Sequence, residues 1–112
     1  MGQFLNYIEL AKPFPLSWQI DYREDDIASK PIVQTDSVTI ALMSIDRRQK
    51  VGTTDTAKDT LIYVLEGTAE VTMDDKRYIV TAGEAMIMPA KKPHSIYALE
   101  KFKMMFIVLN NE

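Results

Sequence analysis

The fold is decided by residues 61–109, which read LIYVLEGTAEVTMDDKRYIVTAGEAMIMPAKKPHSIYALEKFKMMFIVL. Short apolar runs alternate there with turn residues. Ala69, Val71 and Met73 occupy every second position, which is the period of a half-buried strand. Asp74-Asp75 predicts the turn of a hairpin, and Pro89 ends a later apolar run because proline cannot donate to a sheet. Several short strands with little helix predict a β-barrel or a β-sandwich.

The segments that precede this stretch predict one further strand, a loop and an N-terminal arm. Residues 38–45 are apolar on both faces, so we expect that strand to be covered on both. Residues 47–59 are polar and predict a loop. Residues 3–11 have the spacing of a short amphipathic helix or turn, and Trp18, Ile20 and Tyr22 alternate as in a strand or arm. We therefore expect an arm over residues 1–30 and a barrel over residues 31–112.

Composition excludes several classes of function. The 112 residues are 46% hydrophobic and carry a net charge of −3, with only short cationic clusters, which argues against nucleic acid. The absence of cysteine excludes disulfides, thiolate zinc sites and cysteine nucleophiles. No apolar run approaches the ~20 residues that span a membrane. The first residues lack the pattern of a signal peptide, so we expect a cytoplasmic protein with no membrane partner.

Two short motifs resemble those of the cupin family: YVLEG at residues 63–67 and AGEAMIMPAKKPH at residues 82–94. Gly83, Pro89 and His94 match three of the five positions of the second cupin motif, and Gly67 matches the glycine that closes the first. The resemblance extends from Val38 to Leu109. It implies an all-β fold, a cupin-type jelly-roll β-barrel with a short N-terminal helix or arm, in which His94 points inward. Apart from the resemblance, Gly67 and Gly83 lie at predicted turns, where a residue without Cβ can adopt positive φ.

The first motif departs from the family pattern at its metal ligands. Cupins supply two histidines and a glutamate there, and the glutamate position is Thr60 in this chain. The histidine positions fall at Thr54 and Thr56, or at Thr53 and Asp55 with a longer spacer. A transition metal normally needs about three good ligands, and of the family's set only His94 is present. We therefore expect no cofactor; a divalent metal, if one binds, would use His94, Asp55 and Asp59.

Strand alternation extends the resemblance to a predicted pocket, because residues two apart on a strand share a face. The residues expected to line it are His94, Thr54, Thr56, Thr60, Ile62, Met86, Met88 and Ile96. Two interpretations of His94 stay open: a core histidine with satisfied hydrogen bonds, or the polar end of a ligand pocket. The methionines late in the chain favour core packing over an adaptable binding surface.

The last strand, residues 102–109, predicts a second apolar surface. If Lys103 must reach water, the inward residues are Phe102, Met104, Phe106 and Val108. Met105, Ile107 and Leu109 then form an apolar outer face, which is unusual for a monomer. We expect a homodimer that buries this face, with the arm around Trp18 and Ile20 crossing to the partner.

Three functions agree with these features. The first is binding of a small molecule in the barrel without a tightly held metal. The second is an enzyme of the isomerase, epimerase or dioxygenase type, in which His94 acts with Asp55 or Asp59 on a weakly held metal or as an acid–base pair. The third is a structural dimer module. No catalytic residue can be assigned from the sequence, because one fold serves many functions.

Overall fold

Antiparallel strands make up nearly all of the regular structure. The computed structural model describes residues 10–53 and 58–109, with Thr53 described by its backbone alone, and these residues form one 3-10 helix and nine strands. The helix is Leu16–Gln19, and the strands are β1 Ile27–Gln34, β2 Val38–Ile45, β3 Lys50–Thr53, β4 Thr60–Glu66, β5 Thr68–Met73, β6 Lys76–Thr81, β7 Ala85–Met88, β8 His94–Ala98 and β9 Phe102–Leu109. The predicted all-β class is confirmed. No helix in the described ranges is long and apolar enough to cross a membrane.

The strands form two sheets with the core between them. The five-stranded sheet has the order β1-β2-β9-β4-β7, and the four-stranded sheet has the order β3-β8-β5-β6. Their inner faces meet in one apolar cluster, in which Ile62, Val71 and Phe102 are fully buried. This arrangement of antiparallel strands in two packed sheets is the predicted jelly roll.

The predicted inward faces of β4, β8 and β9 agree with the structure. Ile62 and Val64 on β4 are fully buried in the core between the sheets. Ile96 on β8 and Met104 on β9 are each 2% exposed in the same cluster. Strand alternation divides each strand into two faces. The cupin resemblance identified the inner face of β4 and β8, and the assumption that Lys103 faces away from the core identified that of β9.

Strand β3 lies inside the segment that the sequence predicts as loop. It pairs with β8 so that Val51 faces Ile96 and Gly52 faces Ser95. Three of its four residues, Lys50, Gly52 and Thr53, give no apolar signal, and the strand lies at the edge of its sheet. Pairing with β8, rather than local propensity, therefore forms this strand.

The N-terminal segment also differs from its predicted form. Strand β1 begins before residue 31, and Ile27 is already paired with Ile45 of β2. Residues 16–19 form a 3-10 helix instead of extended chain, which leaves Trp18 76% exposed and Ile20 7% exposed. The predicted helix or turn at residues 3–11 lies mostly outside the described residues.

Side chains of the sheet fasten residues 17–21 to its outer face. Three alternate backbone carbonyl groups accept hydrogen bonds: Ser17 from Lys103 Nζ at 2.6 Å, Gln19 from Lys30 Nζ at 2.7 Å, and Asp21 from Ser44 Oγ at 2.8 Å. The expectation that Lys103 reaches water was wrong, because this residue is 8% exposed. The Ser17 carbonyl and the face of the Tyr22 ring, whose centroid lies 5.1 Å from Lys103 Nζ, replace solvent around the ammonium group.

The arm therefore covers part of the outer face of its own chain. Ile20 packs with Ile32 and Leu42 in a second, smaller apolar cluster. An apolar row continues in register across all five strands of this sheet: Val33, Ile40, Ile107, Leu61 and Ile87. Ile87, on the edge strand β7, remains 63% exposed.

Candidate ligand cavity at His94

An apolar cavity of about 230 Å³ lies between the two sheets. Its lining consists of Met43, Val51, Thr60, Ile62, Met88, His94, Ile96, Met104, Phe106 and Val108. Among these ten residues only Thr60 and His94 carry polar side chains. The cavity is therefore an extension of the core that keeps a small amount of polar surface.

The chain connectivity brings the polar side chains to one end of the cavity. Thr60, the first residue of β4, is paired with Met88, the last residue of β7. The short connection of residues 89–93 then leads directly to His94, the first residue of β8. Thr60, Met88 and His94 consequently lie at the same end of the barrel.

The His94 ring is held by the connection that precedes it. His94 is 8% exposed, and its Nδ1 lies 3.1 Å from the carbonyl oxygen of Lys92. Because a carbonyl oxygen can only accept, Nδ1 donates its proton in this contact, and in the neutral ring Nε2 is the nitrogen with the lone pair. The ring thus combines a fixed tautomer with a place on the cavity wall.

The structure brings together five of the predicted pocket residues: His94, Thr60, Ile62, Met88 and Ile96. Met86, also predicted, does not line the cavity but packs against the same core. The predictions for Thr54, Asp55 and Thr56 fall outside the described residues.

Five of the ten lining residues were not in the predicted pocket. Three of them, Met104, Phe106 and Val108, were predicted only to face inward, and the other two were not predicted at all. Val51 was missed because its strand was predicted as loop. Met43 was missed because the alternation within the apolar strand β2, which places Met43 and Ile45 on the inner face, was not used.

Asp59 has a structural contact rather than a place in the cavity. Its Oδ1 accepts a hydrogen bond of 2.6 Å from the backbone N–H of Ala90. It is exposed and is not among the lining residues. Asp59 therefore fastens the connection of residues 89–93 to the start of β4, which gives its carboxylate a role that needs no metal.

The donor set that the structure describes does not fit a resident metal ion. Within residues 10–53 and 58–109, no group of three His, Cys, Asp or Glu side chains is placed to hold one. Thr60 contributes a hydroxyl, which is a weak ligand, where the cupin pattern has a carboxylate. We accordingly derive no chemistry through a metal.

A solvent-facing cleft lies on the other side of His94. This cleft of about 320 Å³ is lined by Pro93, His94, Ser95 and the end of the β5–β6 hairpin at residues 72–75. Lys92 Nζ donates to Asp74 Oδ2 at 2.7 Å and so ties the connection before β8 to the hairpin. The hydrogen bond to Asp74 raises the pKa of Lys92 above its ordinary value.

A larger open cleft of about 530 Å³ lies at the opposite end of the barrel, where charges of both signs line it: Asp46, Arg47, Glu66, Glu100 and Lys101. Tyr22 contributes its ring and donates its hydroxyl proton to Glu66 Oε2 at 2.7 Å. Burial, followed by this hydrogen bond, raises the pKa of Tyr22 above its ordinary value. These contacts anchor the arm, so the cavity at His94 is the better candidate for a ligand.

The jelly roll and the inward His94 are the features that the resemblance to cupins predicts. Residues 48–110 match the family described as the cupin domain, and the chain belongs to that family. A search of curated proteins found no significant match.

Solved structures of similar chains agree with this assignment. A conserved protein of unknown function from Streptococcus pyogenes is 34% identical, with a TM-score of 0.89 over 98% of this chain and 96% of that one. A cupin superfamily protein from Desulfitobacterium hafniense is 31% identical, with a TM-score of 0.90 over 97% of this chain and 100% of that one. A cupin 2 conserved barrel domain protein from Leptotrichia buccalis is 21% identical, with a TM-score of 0.88 over 93% of this chain and 50% of that one; at this identity the likeness concerns the fold alone.

Proposed function

We propose that this cupin binds a small molecule in the cavity at His94 and holds no metal tightly there. The observation that carries the proposal is the cavity itself: an apolar space of about 230 Å³ with Thr60 and His94 at one end. Ligand sites are typically apolar concavities with a few polar groups that orient the ligand.

The contacts of the acidic side chains support the metal-free part of the proposal. Asp59, the described carboxylate nearest the first cupin motif, is hydrogen-bonded to Ala90 N. His94 has its Nδ1 turned to the Lys92 carbonyl. A first-row transition metal would need about two further good ligands beside one imidazole.

Metal analysis and ligand screening test this proposal together. We expect the purified full chain to contain much less than one equivalent of zinc, nickel, iron or manganese. We also expect at least one compound of a metabolite library to raise the melting temperature, and that shift to be lost in His94→Ala. Tyr97→Phe, on the outer side of the same strand, is the matched control and should keep the shift.

Two results would contradict the proposal. A stoichiometric metal that is lost on His94→Ala would favour the alternative, a metal-dependent cupin enzyme. A protein that binds no compound of the library, and whose cavity stays empty in a crystal structure, would favour a structural module.

We propose further that two copies associate through the outer face of the five-stranded sheet. The apolar row that ends at Ile87 supports this, because it runs across five strands and a two-fold axis would place it against itself. Ile79 is 52% exposed on the other sheet, outside the proposed interface, and a substitution there is therefore the matched control for one at Ile87.

A further inference from the structure

The volume of the cavity limits how large a group it can enclose. The space of about 230 Å³ exceeds the volume of about 150 Å³ at which an apolar protein cavity takes up benzene. It therefore accommodates a single ring with a few substituent atoms. A nucleotide or a disaccharide is too large to be enclosed.

Sulfur and aromatic groups supply a large part of the apolar wall. Met43 and Met104 are directly opposite each other in the pairing of β2 with β9, so their side chains are neighbours on one wall. Met88 lies at the end near His94, and Phe106 completes the wall. Thioether sulfur makes favourable contacts with aromatic rings, and aromatic pairs attract each other beyond their buried area. This wall favours an aromatic ring over a saturated ring of the same size.

The polar groups limit what the ring can carry. Among the lining residues that the structure describes, only Thr60 and His94 offer polar side chains, and both lie at one end. A sugar would leave several hydroxyl groups against apolar wall, and each buried group without a partner weakens binding. One hydrogen-bonding substituent, directed at that end, can be accommodated.

We infer that the ligand of this cavity is a small monocyclic aromatic molecule that directs one hydrogen-bonding group at the His94 end. This inference rests on the proposed function, because it names the class of ligand for the same cavity. Phenol is the simplest probe of that class, and cyclohexanol is its matched control, because the two share the ring size and the hydroxyl group.

The test is a titration of the full chain, labelled with ¹³C at the methionine methyl groups, with each probe. We expect phenol to bind about fivefold to tenfold more tightly than cyclohexanol. Phenol should also shift the methyl signals of Met43, Met88 and Met104 by its ring current. Met104→Leu should reduce the preference for phenol about threefold. Met105→Leu, at the next residue on the outer face, should leave the preference unchanged.

The single histidine of the sequence reports the orientation of the ligand. Toluene is a second control, because it has the aromatic ring of phenol without the hydroxyl group. Only a hydrogen bond from that hydroxyl should therefore shift the signals of the His94 ring nitrogens further with phenol than with toluene.

Equal affinity for phenol and cyclohexanol, or signals that respond only at Met105, would overturn the aromatic inference and leave the proposed function standing. If phenol, cyclohexanol and the metabolite library all fail to bind, both statements are wrong.

Discussion

Substitution of Gly67 by alanine should destabilise the fold far more than the same substitution at Gly83. The two glycines have nearly equal backbone angles, with φ of +86° at Gly67 and +90° at Gly83. Both close turns that the motifs predict. They differ in what a Cβ would meet: at Gly67 it would overlap the carbonyl oxygen of Lys101 and approach Phe102 Cβ to 2.6 Å, whereas at Gly83 nothing lies within 4 Å.

The magnitudes follow from this difference. An L-residue at positive φ costs about 1–2 kcal/mol, and both variants lose this amount. Gly67→Ala must also displace the backbone at residues 101 and 102, where Phe102 is fully buried, and overpacking of this kind costs about 1–3 kcal/mol more. We expect a free energy of unfolding that is lower by about 1–2 kcal/mol for Gly83→Ala and about 2–5 kcal/mol for Gly67→Ala.

Urea unfolding followed by circular dichroism measures both values under one set of conditions. A difference of 1 kcal/mol corresponds to a shift of about 4–8 °C in the melting temperature of a domain near this size, so thermal unfolding is an independent check. If Gly83→Ala loses as much stability as Gly67→Ala, the steric argument is wrong and the cost at both sites comes from the backbone angle alone.

Three other substitutions test the proposed interface on the outer face, the anchoring of the arm and the loss of stability at low pH. Light scattering should give the mass of a dimer for the wild type and of a folded monomer for Ile87→Glu; a monomeric wild type, or a variant of unchanged dimeric mass, would refute the proposed interface. Lys103→Met should lower the free energy of unfolding by about 1–3 kcal/mol in urea, because an arm carbonyl loses its charged donor; unaltered stability would show that the arm needs no such anchor. The backbone N–H groups of Asp25 and then Arg47 hold the pKa of Asp46 below its ordinary value. The stabilisation that the Asp46 carboxylate contributes is therefore complete above its ordinary pKa and is lost as the pH falls. The melting temperature of Asp46→Asn should accordingly depend less on pH below about 4 than that of the wild type. The same pH dependence in both proteins would contradict this.

Features that strand alternation controls could be predicted from the sequence. The inner positions of β4 follow from the period of two once the cupin resemblance places residue 60 inward, and those of β9 follow once Lys103 is placed on the outer face. The positive φ at Gly67 and Gly83 follows from their place in the motifs. These are local consequences of sheet geometry, which each strand expresses in its own residues.

Features that depend on a distant partner could not be predicted. Strand β3 forms because it pairs with β8, although its own residues are typical of a loop. Lys103 is buried because an arm from the other end of the chain supplies the Ser17 carbonyl, at 2.6 Å from its ammonium group. Asp59 was a candidate metal ligand in the sequence, and in the structure its carboxylate accepts a hydrogen bond from the backbone N–H of Ala90. In each case a contact between residues far apart in sequence outweighs the local pattern.

The contacts around His94 show how the protein itself orients the ring that the proposed ligand would meet. In metalloproteins a carbonyl often fixes a histidine by accepting from the ring nitrogen that does not bind the metal. His94 has such a partner in the Lys92 carbonyl, at 3.1 Å. The connection that carries it is fastened on two sides, by Asp59 to Ala90 N at 2.6 Å and by Lys92 to Asp74 at 2.7 Å. Because these tethers come from the protein itself, the ring needs no ion to hold its orientation. A group that is already oriented reduces the entropy that a ligand must overcome on binding. The proposed binding of a small molecule therefore needs no metal to position the His94 ring, because the protein's own contacts hold it.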